Sequence, residues 1–251
     1  MQREVSQEQL REVLETLDVL HLLLAKGRQE LQELAPYLLS FGLYWLLNLG
    51  SELVFGRGWW AETLLVPFAV ATFLHLRLFV TVLVWLGIGM LVGLLRVWVK
   101  DPLVTWGMLF AGIGIAMALV YSLAVHQGRF ERGKLRLGSR IGIIWGLLSA
   151  GAWLMTIIGA TQQGTSWELL TALWGYAIGS GLVISGILSP ILLVIGLLGI
   201  FGIPLAALSF HSLGTVLGIS AVMAVGMSTV GFVFLLRGLR AGTQHAYRSF
   251  A

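Results

Sequence analysis

Four polar side chains recur at intervals of four in an otherwise apolar stretch: Ser40, Tyr44, Asn48 and Glu52. On a helix that spacing sets them on one face. Hydroxyl, phenol, amide and carboxylate groups in line suit one of two tasks. They hydrogen-bond neighbouring helices, each bond contributing about 0.6 kcal/mol inside a membrane, or they line a polar cavity. Under the second reading Tyr44, Asn48 and Glu52 are the candidate polar face of a small-molecule site, with Glu52 at its mouth. Other apolar stretches are nearly free of ionisable groups, whereas proton relays and coupled pumps hold Asp, Glu, His or Lys at membrane depth. No apolar stretch carries a lysine suited to a Schiff base.

Two constellations with catalytic or cofactor chemistry are set aside, one on geometry and one because its residues are ordinary at their place. Gly179, Ser180 and Gly181, followed by His211, superficially resemble the intramembrane serine proteases of the rhomboid family, which pair a serine in a Gly-x-Ser-Gly stretch with a later histidine. Here the first position of that stretch is Ile178. Ser180 moreover lies well inside its span while His211 sits at a surface, a depth difference of roughly 20 Å that forbids proton transfer. His75 and His126 both fall at the ends of apolar stretches, where two facing imidazoles would suit axial haem ligation. Histidine at an interface is ordinary, and no second pair exists. There is no cysteine, hence no Cys-based zinc site or thiol nucleophile, and no phosphate loop or nucleotide fingerprint. The expectation is a non-enzymatic protein without cofactor or metal.

A third pattern points to association rather than chemistry. Leu10, Leu17, Leu24 and Leu31 repeat every seven residues, interleaved with Val13, Leu20, Gly27 and Leu34, as the a and d positions of a heptad do. Ser6 and Gln9 have capping-box spacing, with Val5 and Leu10 as a hydrophobic staple, so a helix is expected to start there. Glu4, Glu8, Glu12, Glu15, Asp18, Glu30 and Glu33 keep its other faces wet. The helix either packs on the body of the protein or docks a partner or a second copy through the four leucines. Its acidic balance argues against anionic lipid as the main attraction.

What positions these groups is a series of apolar segments of the length that crosses a bilayer core of roughly 30 Å as a helix. Eight are expected: Tyr37 to Phe55, Trp59 to Leu76, Leu78 to Trp98, Val104 to Val125, Ile141 to Ala160, Trp167 to Ile187, Pro190 to Ser209 and Leu213 to Leu236. With 57% hydrophobic and 11% charged residues, the chain has more apolar surface than a soluble domain could hide. Asp101, Ser166 and Ser189 read as N-caps, two of them before proline. Trp59, Trp60, Trp98 and Trp167 mark interfaces. The split at His75, Leu76 and Arg77 follows from the cost of an arginine at mid-bilayer. Four glycine pairs spaced by four, Gly89 and Gly93, Gly142 and Gly146, Gly175 and Gly179, and Gly214 and Gly218, are expected to let helices of the bundle approach closely. Gly196, Gly199, Gly202 and Pro204 soften one span toward a kink.

The net charge of +4 reflects topology rather than nucleic-acid binding. Lys26 and Arg28, Arg77, the run Arg129, Arg132, Lys134, Arg136 and Arg140, and Arg237, Arg240 and Arg248 all fall on one side of an eight-span protein. The positive-inside rule makes that side cytoplasmic, as in a bacterial or archaeal plasma membrane. The fold class expected is thus an all-α polytopic membrane bundle. It comprises a retained cytoplasmic amphipathic helix (1–35), a first four-helix half (36–126), a basic loop (127–140), a second half (141–236) and a basic tail (237–251). A parallel duplication of the halves would relate Phe41, Gly42 and Leu43 to Trp145, Gly146 and Leu147. The function expected is that of an interaction or regulatory component in membrane lipid, acting through residues 6–34. The alternative is a transporter or permease subunit for a small, largely uncharged solute.

Overall fold

A computed structural model describes residues 7–56, 58, 63–76, 78–99, 101–128, 137–161, 166–186 and 189–248, and among these the regular structure is entirely helical. The helices are α1 Gln7–Phe55, α2 Leu65–Leu76, α3 Phe79–Trp98, α4 Pro102–His126, α5 Leu137–Thr161, α6 Trp167–Ser185, α7 Pro190–Leu197 and α8 Leu213–Arg248. Two π-helical segments, Leu198–Gly202 and Leu205–Ser209, prolong α7. Among the described residues seven helical segments are long and apolar enough to cross a membrane, from Gln32–Phe55 to Leu213–Gly238. The chain is a polytopic helical membrane bundle.

The second expected span differs from the rest. Its helix has 12 residues, about 18 Å of rise against a core of roughly 30 Å. Even so, α2 returns along α1: Phe68 lies edge-on to Phe41, with centroids 4.9 Å apart, and His75 lies against Tyr37 at 6.1 Å. It therefore ends level with the start of the first span. The backbone at Leu78 is extended, and α3 then runs back antiparallel to α2, Trp85 lying by Thr72 and Gly89 by Leu65. No single helix runs from residue 59 to 98, since α2 ends at Leu76 and α3 begins at Phe79, but seven described helices rather than the eight expected are long enough to span.

The charged amino-terminal segment and the first span are one helix of 49 residues, with Pro36 inside it. Proline supplies no N–H, so the carbonyl of Gln32 loses its usual donor. The helix nonetheless continues, because α8 holds both sides of the defect. Gly231 of α8 lies so close to α1 that an added Cβ would sit 2.8 Å from the Ala35 carbonyl oxygen, and Gly238 lies beside the Gln32 side chain. Further along, Gly42 abuts Ser228, where a Cβ would approach the Ser228 amide to 2.8 Å. These contacts fix the two helices as antiparallel, and theirs is the most extensive helix pairing in the protein. The buried residues of α1 along the seam, Ala35, Leu38, Gly42, Trp45 and Leu49, are spaced alternately by three and four. That 3.5-residue period is the coiled-coil seam.

The main core joins α1, α6, α7 and α8, with Leu34, Leu38, Leu182, Leu192 and Met223 among its members, while Leu76, Val120 and Ala124 form a smaller cluster between α2 and α4. Between α6 and α7 the backbones touch. An added Cβ on Gly179 would meet the Ile200 amide at 2.6 Å and the Gly196 carbonyl at 2.7 Å, and one on Gly199 the Cα of Gly179 at 2.8 Å. Of the four expected glycine pairs, this one packs as foreseen. The others are a correction: Gly93, Gly142, Gly146, Gly214 and Gly218 have open space where a Cβ would be, and Gly89 meets only Leu65. Periodicity marks a small-residue face without saying whether a helix covers it. The softness expected around Pro204 takes the form of wide turns, in which the Ile203 N–H bonds to Leu198 and Phe210 N–H to Leu205.

Caps follow the sequence with one exception. Asp101 accepts from the Val104 amide at 3.0 Å and Ser166 from Leu169 at 3.3 Å. Ser189 occupies the cap position before Pro190, but its side chain makes no capping bond. Instead its carbonyl accepts from Leu192 and Leu193 at 3.0 and 3.4 Å. Trp98 and Trp167 are exposed at span ends, whereas Trp59 and Trp60 lie outside the described residues. The antiparallel pairs bring the ends of α2, α4 and α8 and the start of the first span to one end of the bundle. A strict duplication would make α4–α5 the counterpart of the α8–α1 pairing, yet that contact is among the slightest.

The seam makes a stability prediction. Gly231→Leu should lower stability by about 1–3 kcal/mol or more, through overpacking against α1 backbone. Gly218→Leu, with open space around it, should not. Thermal unfolding of the two variants in mild detergent distinguishes them.

Candidate functional site

The polar stripe of the first span faces inward, and two of its members, Ser40 and Asn48, bond carbonyls of their own helix. Ser40 is buried and donates to the Pro36 carbonyl at 2.7 Å. Asn48, 4% exposed, donates through Nδ2 to the Tyr44 carbonyl at 3.0 Å, and Ser51 donates to the Asn48 carbonyl at 2.8 Å. Tyr44 lies edge-on to Phe41, and both Tyr44 and Glu52 are half-buried. The structure thus brings the expected residues onto one inward face, with Asn48 directed at helices rather than lipid. Back-bonding to the residue four before satisfies a hydroxyl or amide locally.

The serine and histidine set aside from the sequence stay apart. His211, in the left-handed region at φ 47°, sits beside Glu168, with Nδ1 and Oε1 3.6 Å apart. Glu168 is in the first turn of α6, and Ser180 follows twelve residues later, about 18 Å along the axis. Serine and histidine therefore do not meet. His75 packs on Tyr37 while His126 is exposed at the end of α4. Among the described residues no cluster of three or more His, Cys, Asp or Glu could hold a metal ion.

The heptad residues lie along the portion of α1 beyond the membrane. Of the four leucines, only the side chain of Leu17 is described, and it is 43% exposed. The side chains of Leu10, Leu24 and Leu31, and Val5 and Ser6 altogether, fall outside the described residues. The repeat carries on past Leu31 to Leu38 and Trp45, both buried in the α1–α8 seam. Gln32 is level with Gly238, and α8 ends ten residues later at Arg248. At equal rise, α8 reaches the level of about residue 22 of α1. Residues 7–21 extend about 22 Å farther than α8 does.

A set of bonds between helices was missed from the sequence. Trp85 of α3 donates to Thr72 of α2 at 2.9 Å, Trp145 of α5 to Ser185 of α6 at 3.0 Å, and Trp174 of α6 to Thr156 of α5 at 2.8 Å. Trp153 stacks on Trp106 of α4 at 4.3 Å and meets Trp174 edge-on at 5.1 Å, joining α4, α5 and α6. The signal was available: an indole N–H at membrane depth needs an acceptor. Which of many Ser and Thr residues supplies it depends on helix pairing.

These bonds differ in what they hold together. Trp174→Phe should cost about 0.6–1.7 kcal/mol, as an interhelical bond in a membrane does, and Ser40→Ala, which removes a bond within one turn, less than about 0.5 kcal/mol. Denaturant titration in detergent measures both. No protein-family model matches the chain, and no curated protein or solved structure matches it.

Proposed function

We propose that this is a non-enzymatic, multi-pass membrane component that binds a cytoplasmic partner or a second copy of itself through the amino-terminal helix, residues 6–34. The observation that carries the reading is the exposure of Leu17 on a helix continuous with a buried seam. Leu10, Leu17, Leu24 and Leu31 share one heptad position with Leu38 and Trp45, which α8 covers. Toward its free end α1 extends past α8, and a leucine face there loses water only when another helix comes to it. Arginine clusters flanking the same end of the bundle support placing both termini in the cytoplasm of a bacterial or archaeal plasma membrane.

A second reading, a transporter or permease subunit for a small, largely uncharged solute, draws on the two π-helical segments that prolong α7, since such turns recur at functional sites. The inward polar stripe favours it less, because Ser40 and Asn48 bond their own backbone. Recovery of a soluble ATPase with the protein from mild detergent would favour transport.

Leu10→Lys with Leu17→Lys should weaken association at least about tenfold, since each ammonium would be buried at an a position. The thermal midpoint of the membrane bundle should not move. Sedimentation for a self-pair and pull-down for a partner read the first, and unchanged association in both would overturn the proposal.

A further inference from the structure

A cleft of about 320 Å³ opens between the start of α7 and the last membrane turns of α8, lined by Ser189, Ile191, Gly226, Val230, Val233 and Arg237 among others. The α8 members recur at helical spacing and so form one face. From Gly226 to Arg237 is eleven residues, about 16 Å along the axis, which matches half of a hydrocarbon core of roughly 30 Å. The cleft is therefore as deep as one leaflet. Apart from Thr229 its walls are apolar for most of that depth, and the exposed Ile191 leaves it open toward lipid.

The outer end is different. Arg237 lies at the end of the membrane segment Leu213–Gly238, its guanidinium 5.5 Å from the centre of the Phe234 ring. Stacking there holds the cation at the interface and leaves N–H donors at its edge for a phosphate, which guanidinium binds bidentately. Ser189 is on the same cleft. Its hydroxyl, 5% exposed as a residue, makes no capping bond although it stands at a helix start where one is usual. A cation and a serine hydroxyl at one end of an apolar trough one leaflet deep are complementary to one ligand class. We propose that this cleft binds an anionic phospholipid, with its phosphate at Arg237 and Ser189 and one acyl chain along Val230 and Val233.

The full-length protein in mild detergent, probed separately with phosphatidylglycerol, phosphatidylcholine and soluble glycerol 3-phosphate, tests this by native mass spectrometry and thermal unfolding. Phosphatidylglycerol should be retained and should raise the midpoint, while phosphatidylcholine and glycerol 3-phosphate should do neither. Arg237→Gln should weaken retention about fivefold, the worth of one basic residue at an anionic surface, with Arg237→Lys in between. Val233→Trp should abolish retention by filling the trough, and Arg96→Gln, an exposed arginine near the other end of the bundle, should leave it intact. Because the two Arg237 substitutions lie on an exposed position, they remain informative if Val233→Trp fails to fold. Equal retention of the two lipids, or a wild-type affinity in Arg237→Gln, would overturn the proposal in favour of unselective annular lipid. An equal effect of glycerol 3-phosphate would overturn it in favour of a free anion site.

Discussion

The contact between the first and last helices is the constraint on which the rest of the arrangement depends. Lipid removes the hydrophobic drive between helices, so cohesion comes from close packing and hydrogen bonds. Along α1 and α8, glycine, alanine and serine bring the two backbones together at Gly42, Ser228, Ala35 and Gly231. Because that pair is antiparallel, it joins the two ends of the order of helices and brings the start of the first span and the end of α8 to one end of the bundle. It also supports α1 where Pro36 removes a rung from the helix ladder. A long helix interrupted there would otherwise be free to bend.

The remaining helices are joined by two other devices. Backbone-to-backbone contact on Gly175, Gly179, Gly196 and Gly199 holds α7 to α6, while indole-to-hydroxyl bonds hold α3 to α2 and α5 to α6. Both satisfy the requirement that nothing polar remain unpaired in hydrocarbon. Among the described residues no buried side-chain nitrogen or oxygen lacks a partner. The bundle is thus polar only where polarity connects helices, and α3, the most exposed span, has long apolar side chains such as Leu86, Met90 and Leu94 facing outward.

Much of this was legible in composition and spacing. Segment length and apolarity located the spans, Arg77 located the break, and Asp101 and Ser166 located two caps. These signals are local, since each concerns a helix and its solvent. Partner choice is not local. Nothing in the spacing of Gly142 and Gly146 distinguishes it from that of Gly175 and Gly179, yet only the second pair meets a facing backbone. The short second helix escaped for a similar reason, since hydropathy counts apolar residues around Trp59 and Trp60 without saying where the helix begins. For the candidate site, the four-residue spacing placed Ser40 and Asn48 on one face, but not their choice of acceptor, which is the carbonyl four residues back.

The leucine position of the α1 heptad keeps its register across a change of solvent, while the residues that alternate with it change. The positions of Leu10, Leu17, Leu24 and Leu31 lead without a slip to Leu38 and Trp45, all of them large. The interleaved heptad positions outside the membrane are Val13, Leu20 and Gly27, whereas within it the buried seam alternates through Ala35 and Gly42. In water a large apolar side chain stabilises association by the area it removes from solvent, about 25 cal/mol per Å², and charged neighbours at the flanks limit the wrong pairings. In lipid that area contributes almost nothing, so small alternate residues that let backbones meet become the better choice. The switch falls between Gly27 and Ala35, where the charged segment ends at Glu33 and the first membrane window begins at Gln32. One heptad stripe therefore follows two different rules of association. The membrane portion meets its rule within the chain, and the leucine portion has the composition of a helix that pairs in water.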